Sequence, residues 1–327
     1  MGWFTSRGSK MTDSTDPNWE RGLIAKLAND ALIEQRRRRR WGIFFKLLTF
    51  AYITFLLVVM VDWSSRTDLA GGKKHTAMVE LNGIIAPGTD ASAERVTVAL
   101  QAAFKDKNTQ GVVMRINSPG GSPVQAQTIY DEMRRLRKKY PDIPLYAVVE
   151  DICASGGYFV AAGADRIYVG KASIVGSIGV LMNGFGFTGL MDKLGVERRL
   201  ITAGENKGML DPFSPLREKD KQYVDTLMKD IHEQFIGVVR EGRGKRLKET
   251  PDMFSGLIWT GQKSVELGLA DGFGSLDSVA RDVIKAEDIV DYTQKEGFAE
   301  KVAKRFGASM ANTLAEFALR SYFTPFR

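Results

Sequence analysis

The stretch Asp151-Ile-Cys-Ala-Ser-Gly-Gly-Tyr-Phe-Val-Ala-Ala162 places a small hydroxyl, Ser155, between a β-type run and a helical run. Residues 144–149, Pro-Leu-Tyr-Ala-Val-Val, are short and apolar, which predicts a buried strand. A serine at such a strand-to-helix turn exposes its side chain where the first amides of the helix also point. Two interpretations follow, a catalytic nucleophile or an ordinary helix N-cap.

Strands and helices alternate on both sides of this turn. This spacing predicts an α/β domain with a parallel or mixed sheet and right-handed crossovers. The predicted strands cover residues 76–81, 111–116, 144–149, 167–169, 178–182 and 198–202, and the predicted helices cover residues 92–104, 124–139, 188–194, 216–242, 261–267 and 276–285.

Composition restricts the chemistry. The 327 residues include one cysteine, Cys153, so an internal disulfide and a cysteine-rich metal site are excluded. The two histidines, His75 and His232, argue against a histidine metal centre or a Ser-His-Asp triad. We therefore expect no metal and no cofactor, and a base other than histidine for Ser155. Cys153 is expected to be a small buried residue rather than a nucleophile.

The positive charge is concentrated near the N-terminus. Residues 1–61 contain ten Lys or Arg and five Asp or Glu, a net +5 out of the +7 of the whole chain. A charge distributed in this way indicates a membrane rather than a nucleic-acid partner. Residues 36–40 are five arginines, and in residues 41–61 Lys46 is the only charge. At ~1.5 Å per residue, residues 41–61 are long enough for a bilayer core of ~30 Å and predict one transmembrane helix.

The arginine block predicts the orientation of this anchor, because positive residues stay on the cytoplasmic side. Residues 1–40 are then a basic cytoplasmic arm, and everything after the anchor lies outside the cytoplasm. Residues 62–75 are polar and contain glycine, as linkers do. The main domain is expected over residues 76–290, followed by a helical tail over residues 291–327.

A glycine loop follows the predicted strand at residues 111–116. Its sequence is Asn117-Ser-Pro-Gly-Gly-Ser122. Glycines let the backbone approach a ligand closely and direct amide hydrogens towards it. The loop is a plain Pro-Gly turn or, together with Ser155, the amide donor that an acyl-transfer site needs.

Four motifs in order along the chain resemble those of the signal peptide peptidase A family in its short, single-domain form. They are Asn117-Ser-Pro-Gly-Gly121, Ala154-Ser-Gly-Gly-Tyr158, Val175-Gly-Ser-Ile-Gly-Val180 and Ala203-Gly-Glu-Asn-Lys-Gly208. The resemblance covers roughly residues 76–277 and implies the fold that the Clp protease subunit shares with crotonase. Acyl-CoA hydratases also use this fold, but a domain outside the cytoplasm has no access to coenzyme A.

The resemblance implies a serine-lysine dyad. Ser155 matches the family nucleophile, Lys207 the general base, and Ser177 the hydroxyl that orients the lysine. The amides of Gly120 and Gly156 would bind the oxyanion, although the choice within the Gly120-Gly121 pair stays open. It also implies a ring-like homo-oligomer in which neighbouring protomers share the dyad.

The chemistry of a lysine base sets a further requirement. Lowering the pKa of a lysine from ~10.4 to ~7 costs about 4 to 5 kcal/mol. Burial must supply this, so we expect Lys207 in a dry pocket with Ser177 as its hydrogen-bond partner.

Together these features predict a serine endopeptidase in the bacterial inner membrane, with its catalytic domain in the periplasm. The expected substrates are hydrophobic peptides such as cleaved signal peptides, bound as an added strand. The apolar residues Ile178, Val180 and Leu181 are expected to contact them.

Overall fold

The computed structural model describes residues 19–67 and 73–294, except for the side chains of residues 19, 20, 22, 23 and 57–67. The strands are β1 (His75–Asn82), β2 (Thr109–Ser118), β3 (Leu145–Ala154), β4 (Arg166–Val169), β5 (Ile174–Gly176), β6 (Ile258–Thr260), β7 (Gly272–Phe273) and β8 (Ile289–Asp291). The helices are α1 (Trp19–Thr67), α2 (Ala93–Lys105), α3 (Pro123–Lys139), α4 (Gly156–Ala161), α5 (Thr188–Leu194), α6 (Glu218–Arg243), α7 (Gly261–Glu266) and α8 (Leu276–Ser278). A π-helical turn, Val279–Ile284, continues α8.

Helix α1 forms a unit separate from the sheet domain. It includes the end of the predicted basic arm and the whole predicted anchor, residues 41–61. Over the part of the chain that the structure describes, no helix contains a stretch both long and apolar enough to span a membrane. The side chains of residues 57–61 lie outside that part. The first 18 residues of the arm, residues 68–72 of the linker and residues 295–327 of the tail also lie outside the described residues.

The sheet domain confirms the predicted α/β class. Its main path runs β6-β5-β3-β2-β1-β8, with β4 paired to β3 and β7 paired to β4. All pairs are parallel except β5 with β6. Strands β1 to β3 consist largely of buried apolar residues, as expected of parallel strands covered on both faces. The strands at the sheet edges, β6, β7 and β8, are only two or three residues long and were not predicted.

The topology brings three loops to one edge of the sheet. Strand β3 pairs with β4 through residues 146–149 and with β5 through residues 152–154, so the sheet divides along β3. Strands β2, β3 and β5 are parallel neighbours, and their carboxyl ends therefore lie together. In open parallel sheets this edge is the usual place for a ligand site.

Two predicted strands, at residues 178–182 and 198–202, are irregular in the structure. Strand β5 ends at Gly176, and the Ser177 amide donates to the Leu257 carbonyl at 2.8 Å. In residues 181–216 no residue is fully buried. Apolar residues there do not mark strands, because no neighbouring strand pairs with them.

A buried ion pair ties the end of α6 to the sheet. The Arg243 side chain is 1% exposed, and its Nη1 donates to Asp271 Oδ2 at 2.8 Å. The Ile167 amide also donates to this carboxylate, and Arg246 donates to its other oxygen. Burial by itself raises the pKa of Asp271, but its bonds and charges from Arg243 outweigh burial and hold the pKa below its usual value.

We expect Asp271→Asn to lower the free energy of unfolding by about 3 kcal/mol at pH 7, because it leaves the buried charge of Arg243 uncompensated. The folded pKa of Asp271 is depressed, so its stabilisation is present above the unfolded value of ~3.9 and is lost as pH falls through the folded pKa. Urea unfolding at several pH values should therefore show a gap between wild type and variant that narrows below pH ~4.

The matched control is Asp282→Asn, which breaks the exposed Arg281–Asp282 pair. An exposed pair contributes at most about 1 kcal/mol. Equal losses in the two variants would contradict the role assigned to burial.

Candidate active site

Ser155 lies on a strained turn between β3 and α4. Its φ of +51° and ψ of −123° are unusual for a residue other than glycine. Its amide donates to the Gly176 carbonyl at 2.8 Å, and its carbonyl accepts from the Phe159 amide at 2.9 Å. Ser155 occupies the N-cap position of α4, but its side chain makes no capping hydrogen bond. Ser155 therefore holds the position of a helix cap, but its Oγ takes no part in capping the helix.

The glycine loop after β2 lies directly against this turn. A Cβ atom on Gly120 would lie 2.6 Å from the Gly156 nitrogen and 2.8 Å from Ser155 Cβ. A Cβ atom on Gly121 would lie 2.1 Å from the Ile85 carbonyl oxygen. Both residues also have positive φ, so this close approach requires glycine at both positions.

The glycine amides beside Ser155 differ in whether they have a hydrogen-bond acceptor. The Gly120 amide donates to Ser118 Oγ at 3.1 Å. Within residues 73–294, the amides of Gly121 and Gly156 have no hydrogen-bond acceptor. Within the Gly120-Gly121 pair, where the sequence left the choice open, the geometry therefore favours Gly121 as the donor beside Gly156.

Ser177 follows β5 as Ser155 follows β3, and it has the same positive φ of +51°. The hydrogen bond from the Ser177 amide to the Leu257 carbonyl holds this residue in place. Ser155 and Ser177 line one cavity of about 940 Å³. Their common location follows from the pairing of β3 with β5.

Lys207 lies in the irregular segment between α5 and α6. It is in a turn in which its amide donates to the Gly204 carbonyl at 3.1 Å, and its side chain is exposed. It does not line the cavity, and no described hydrogen bond joins it to Ser155 or Ser177. The expected dry pocket around Lys207 is therefore not formed within this single chain. The reason is local, since the whole of residues 181–216 lacks a buried residue.

The cavity wall is uncharged. Its lining consists of Pro119, Gly121, Pro123, Val124, Ala126, Gln127, Thr128, Ser155, Gly156, Phe159, Ser177, Gly179, Val180, Leu181, Ile231, Gln234, Phe235, Ser255 and Gly256. The rings of Phe159 and Phe235, from α4 and α6, are 5.2 Å apart. The α6 residues and the segment at Ser255 and Gly256 were not predicted to be part of the site. The helical period of α6 identifies its buried face but not the cavity that this face borders.

Of the three expected substrate contacts, Val180 and the 80% exposed Leu181 line the cavity. Ile178 does not, because it is fully buried in the hydrophobic core. The expectation rested on the apolar character of the three residues, which does not show whether a side chain faces the core or the cavity.

Cys153, two residues before Ser155, is also fully buried. Burial raises the pKa of its thiol, so the thiol stays protonated and unreactive. The expectation that Cys153 is a buried structural residue is confirmed.

Comparison with known proteins identifies the family whose pattern these loops follow. Residues 137–290 match the family model described as peptidase family S49, and residues 76–174 match that of Clp protease. Over 255 residues the chain is 31% identical to "Putative protease MJ0651" of Methanocaldococcus jannaschii, covering 74% of this chain and 81% of that protein. It is 29% identical over 228 residues to "Putative signal peptide peptidase SppA" of Enterococcus faecium, covering 67% and 66% of the two chains.

A third relative is much longer than this chain. Over 209 residues the chain is 44% identical to the Na(+)/H(+) antiporter NhaA of Brucella abortus, a match of 62% of this chain. The matched region spans only 28% of that protein. These comparisons confirm the resemblance inferred from the four motifs, and the Clp protease match agrees with the mixed α/β sheet.

Proposed function

The chain belongs to peptidase family S49, and we propose from that premise that it is a serine endopeptidase acting on hydrophobic peptides such as cleaved signal peptides. The observation that carries the proposal is the free hydroxyl of Ser155. It stands on a strained turn, beside two unoccupied amides, in an uncharged cavity. This combination suits acyl transfer.

In the proposed reaction, Ser155 Oγ attacks the scissile carbonyl carbon and transfers its proton to a base. The amides of Gly121 and Gly156 stabilise the negative oxygen of the tetrahedral intermediate. The protonated base then donates to the leaving amine, which leaves an acyl-enzyme. Water, activated by the same base, hydrolyses the ester and frees Ser155.

We propose that the base is Lys207 of a neighbouring protomer. A lysine acts as a base where burial favours its neutral form, and the Lys207 side chain is exposed within its own chain. The segment that carries it exposes large apolar side chains, among them Phe185, Leu194 and Ile201. A ring-like homo-oligomer would cover these side chains and bring Lys207 to Ser177 of the next copy.

The cavity supports the choice of substrate. Among the residues that the structure describes, no ionisable side chain lines it, and the Phe159–Phe235 pair and Leu181 offer apolar contact. A charged side chain entering it would lose its hydration without gaining a partner. Apolar peptides are therefore favoured.

For the cellular location, we propose a protein of the bacterial inner membrane with its catalytic domain in the periplasm. Support comes from the sequence of residues 41–61, with one lysine among 21 residues, and from the five arginines before it. The membrane lipid would then be a partner through this segment.

The nucleophile can be identified by covalent labelling. We expect a fluorophosphonate probe to modify Ser155 alone, as read by mass spectrometry of the labelled peptide. Ser177 is an internal control, because it lines the same cavity with the same φ but is assigned to orient the base rather than to attack. Labelling of Ser177, or no labelling of the assembled protein, would count against the proposal.

A further inference from the structure

Ser118 is a buried hydroxyl at the end of β2. It is 0% exposed, and its Oγ donates to the Gly83 carbonyl at 2.6 Å while accepting from the Gly120 amide at 3.1 Å. The hydroxyl therefore links the turn after β1 to the glycine loop after β2. We call this pair of hydrogen bonds the Ser118 clamp.

The next peptide group in the loop is fixed from the other side. The Ile85 amide donates to the Gly120 carbonyl at 2.9 Å, and no described peptide bond is cis. In a trans peptide the C=O and N–H groups point in opposite directions, so the Gly121 N–H points away from Ile85. A Cβ atom on Gly156 would lie 3.2 Å from the Gly121 nitrogen, which places this amide beside the start of α4.

We propose that Ser118 is a positioning residue, whose clamp directs the Gly121 amide towards the oxyanion next to the Gly156 amide. This role rests on the proposed function, since an oxyanion forms only if Ser155 attacks a carbonyl. Gly120 and Gly121 have positive φ and no side chains to restrict them. Without the hydroxyl, the Gly120 amide loses its acceptor. The loop can then rotate so that the Gly121 amide no longer points towards the oxyanion.

The test compares Ser118→Ala with a matched variant, Ser173→Ala. Ser173 is also buried and directly precedes β5. Like the Ser118 hydroxyl, its hydroxyl accepts from one backbone amide and donates to one backbone carbonyl. It accepts from the Gly170 amide at 3.0 Å and donates to the Glu150 carbonyl at 2.5 Å. Both substitutions remove one hydroxyl and leave one amide and one carbonyl unpaired, so their effects on Tm should be similar.

Only Ser118→Ala should affect catalysis. We expect its kcat on a hydrophobic peptide ester to fall about 10- to 100-fold with KM within about twofold of wild type. Its affinity for a peptide boronate, which mimics the tetrahedral intermediate, should fall by the same factor. Ser173→Ala should leave kcat within about twofold of wild type. Equal losses of kcat in both variants, or an unchanged kcat in Ser118→Ala, would overturn the proposal.

Amide hydrogen exchange of the full chain, labelled with ¹⁵N-glycine, examines the clamp without substrate. In wild type the Gly120 amide should exchange slowly and the Gly121 amide quickly, and in Ser118→Ala both should exchange quickly. If Gly120 exchanged as fast as Gly121 in wild type, the clamp would be refuted whatever the turnover. If the Gly120 amide exchanged slowly but the protein hydrolysed no peptide, the clamp would stand. The proposed function, and with it the positioning role of Ser118, would be refuted.

Discussion

We expect Ser155→Ala to abolish turnover, with kcat on a hydrophobic peptide falling by about 10⁶-fold. This is the loss typical of a serine hydrolase without its nucleophile. In the proposed reaction the oxygen removed is the atom that attacks the carbonyl, and the free amides of Gly121 and Gly156 cannot replace it. Steady-state hydrolysis of a fluorogenic peptide ester, with Tm measured alongside, checks this result.

The matched control is Ser177→Ala, which removes a hydroxyl from the same cavity and from a residue with the same φ. In the proposed reaction Ser177 only orients the base, so we expect a loss of kcat of about 10²-fold. Turnover by Ser155→Ala within tenfold of wild type would exclude Ser155 as the nucleophile.

The second large effect is complementation between two inactive variants. Lys207→Ala should lower kcat by about 10³-fold by itself, because it removes the proposed base. If neighbouring protomers share the dyad, co-expressed Ser155→Ala and Lys207→Ala chains form some sites with both residues intact. Random assembly gives about one site in four with an intact pair, so turnover should return to about a quarter of wild type.

Two controls sharpen the complementation experiment. Lys207→Arg keeps the positive charge but cannot become neutral, so it should be as inactive as Lys207→Ala. Wild type co-expressed with a chain carrying both substitutions should also retain about a quarter of the sites, which calibrates assembly. A mixed oligomer as inactive as its parents would show that both residues act within one chain, or that Lys207 is not the base.

Local patterns predicted the centre of the fold well. Strands β1 to β4 and helices α2, α3, α5 and α6 lie within a few residues of their predicted positions. Each has either a run of buried apolar residues or a helical period, and these patterns arise from local geometry. The short edge strands β6, β7 and β8 have two or three residues, too few to show a period.

The predicted strand at residues 178–182 shows what such patterns miss. The expectation that Ile178, Val180 and Leu181 contact substrate rested on their apolar character, but the positive φ of Ser177 ends the strand character of the chain. Ile178 then enters the core, and the other two border the cavity. Whether a residue faces a ligand depends on the direction of the backbone, which a distant contact determines, here the bond from Ser177 to Leu257.

By itself, the sequence determined the α/β class, the turn that carries Ser155 and the family, because these follow from residue types at short spacing. Only the tertiary structure decided which loops meet. Ser118, Ser155 and Ser177 come together because β2, β3 and β5 are parallel neighbours whose carboxyl ends share one edge. The structure also decided which glycine amide is free, since the Gly120 amide donates to Ser118 Oγ and the Gly120 carbonyl accepts from the Ile85 amide. The strand pairings and the bond from Ile85 join residues far apart in the chain, and local propensity does not encode them.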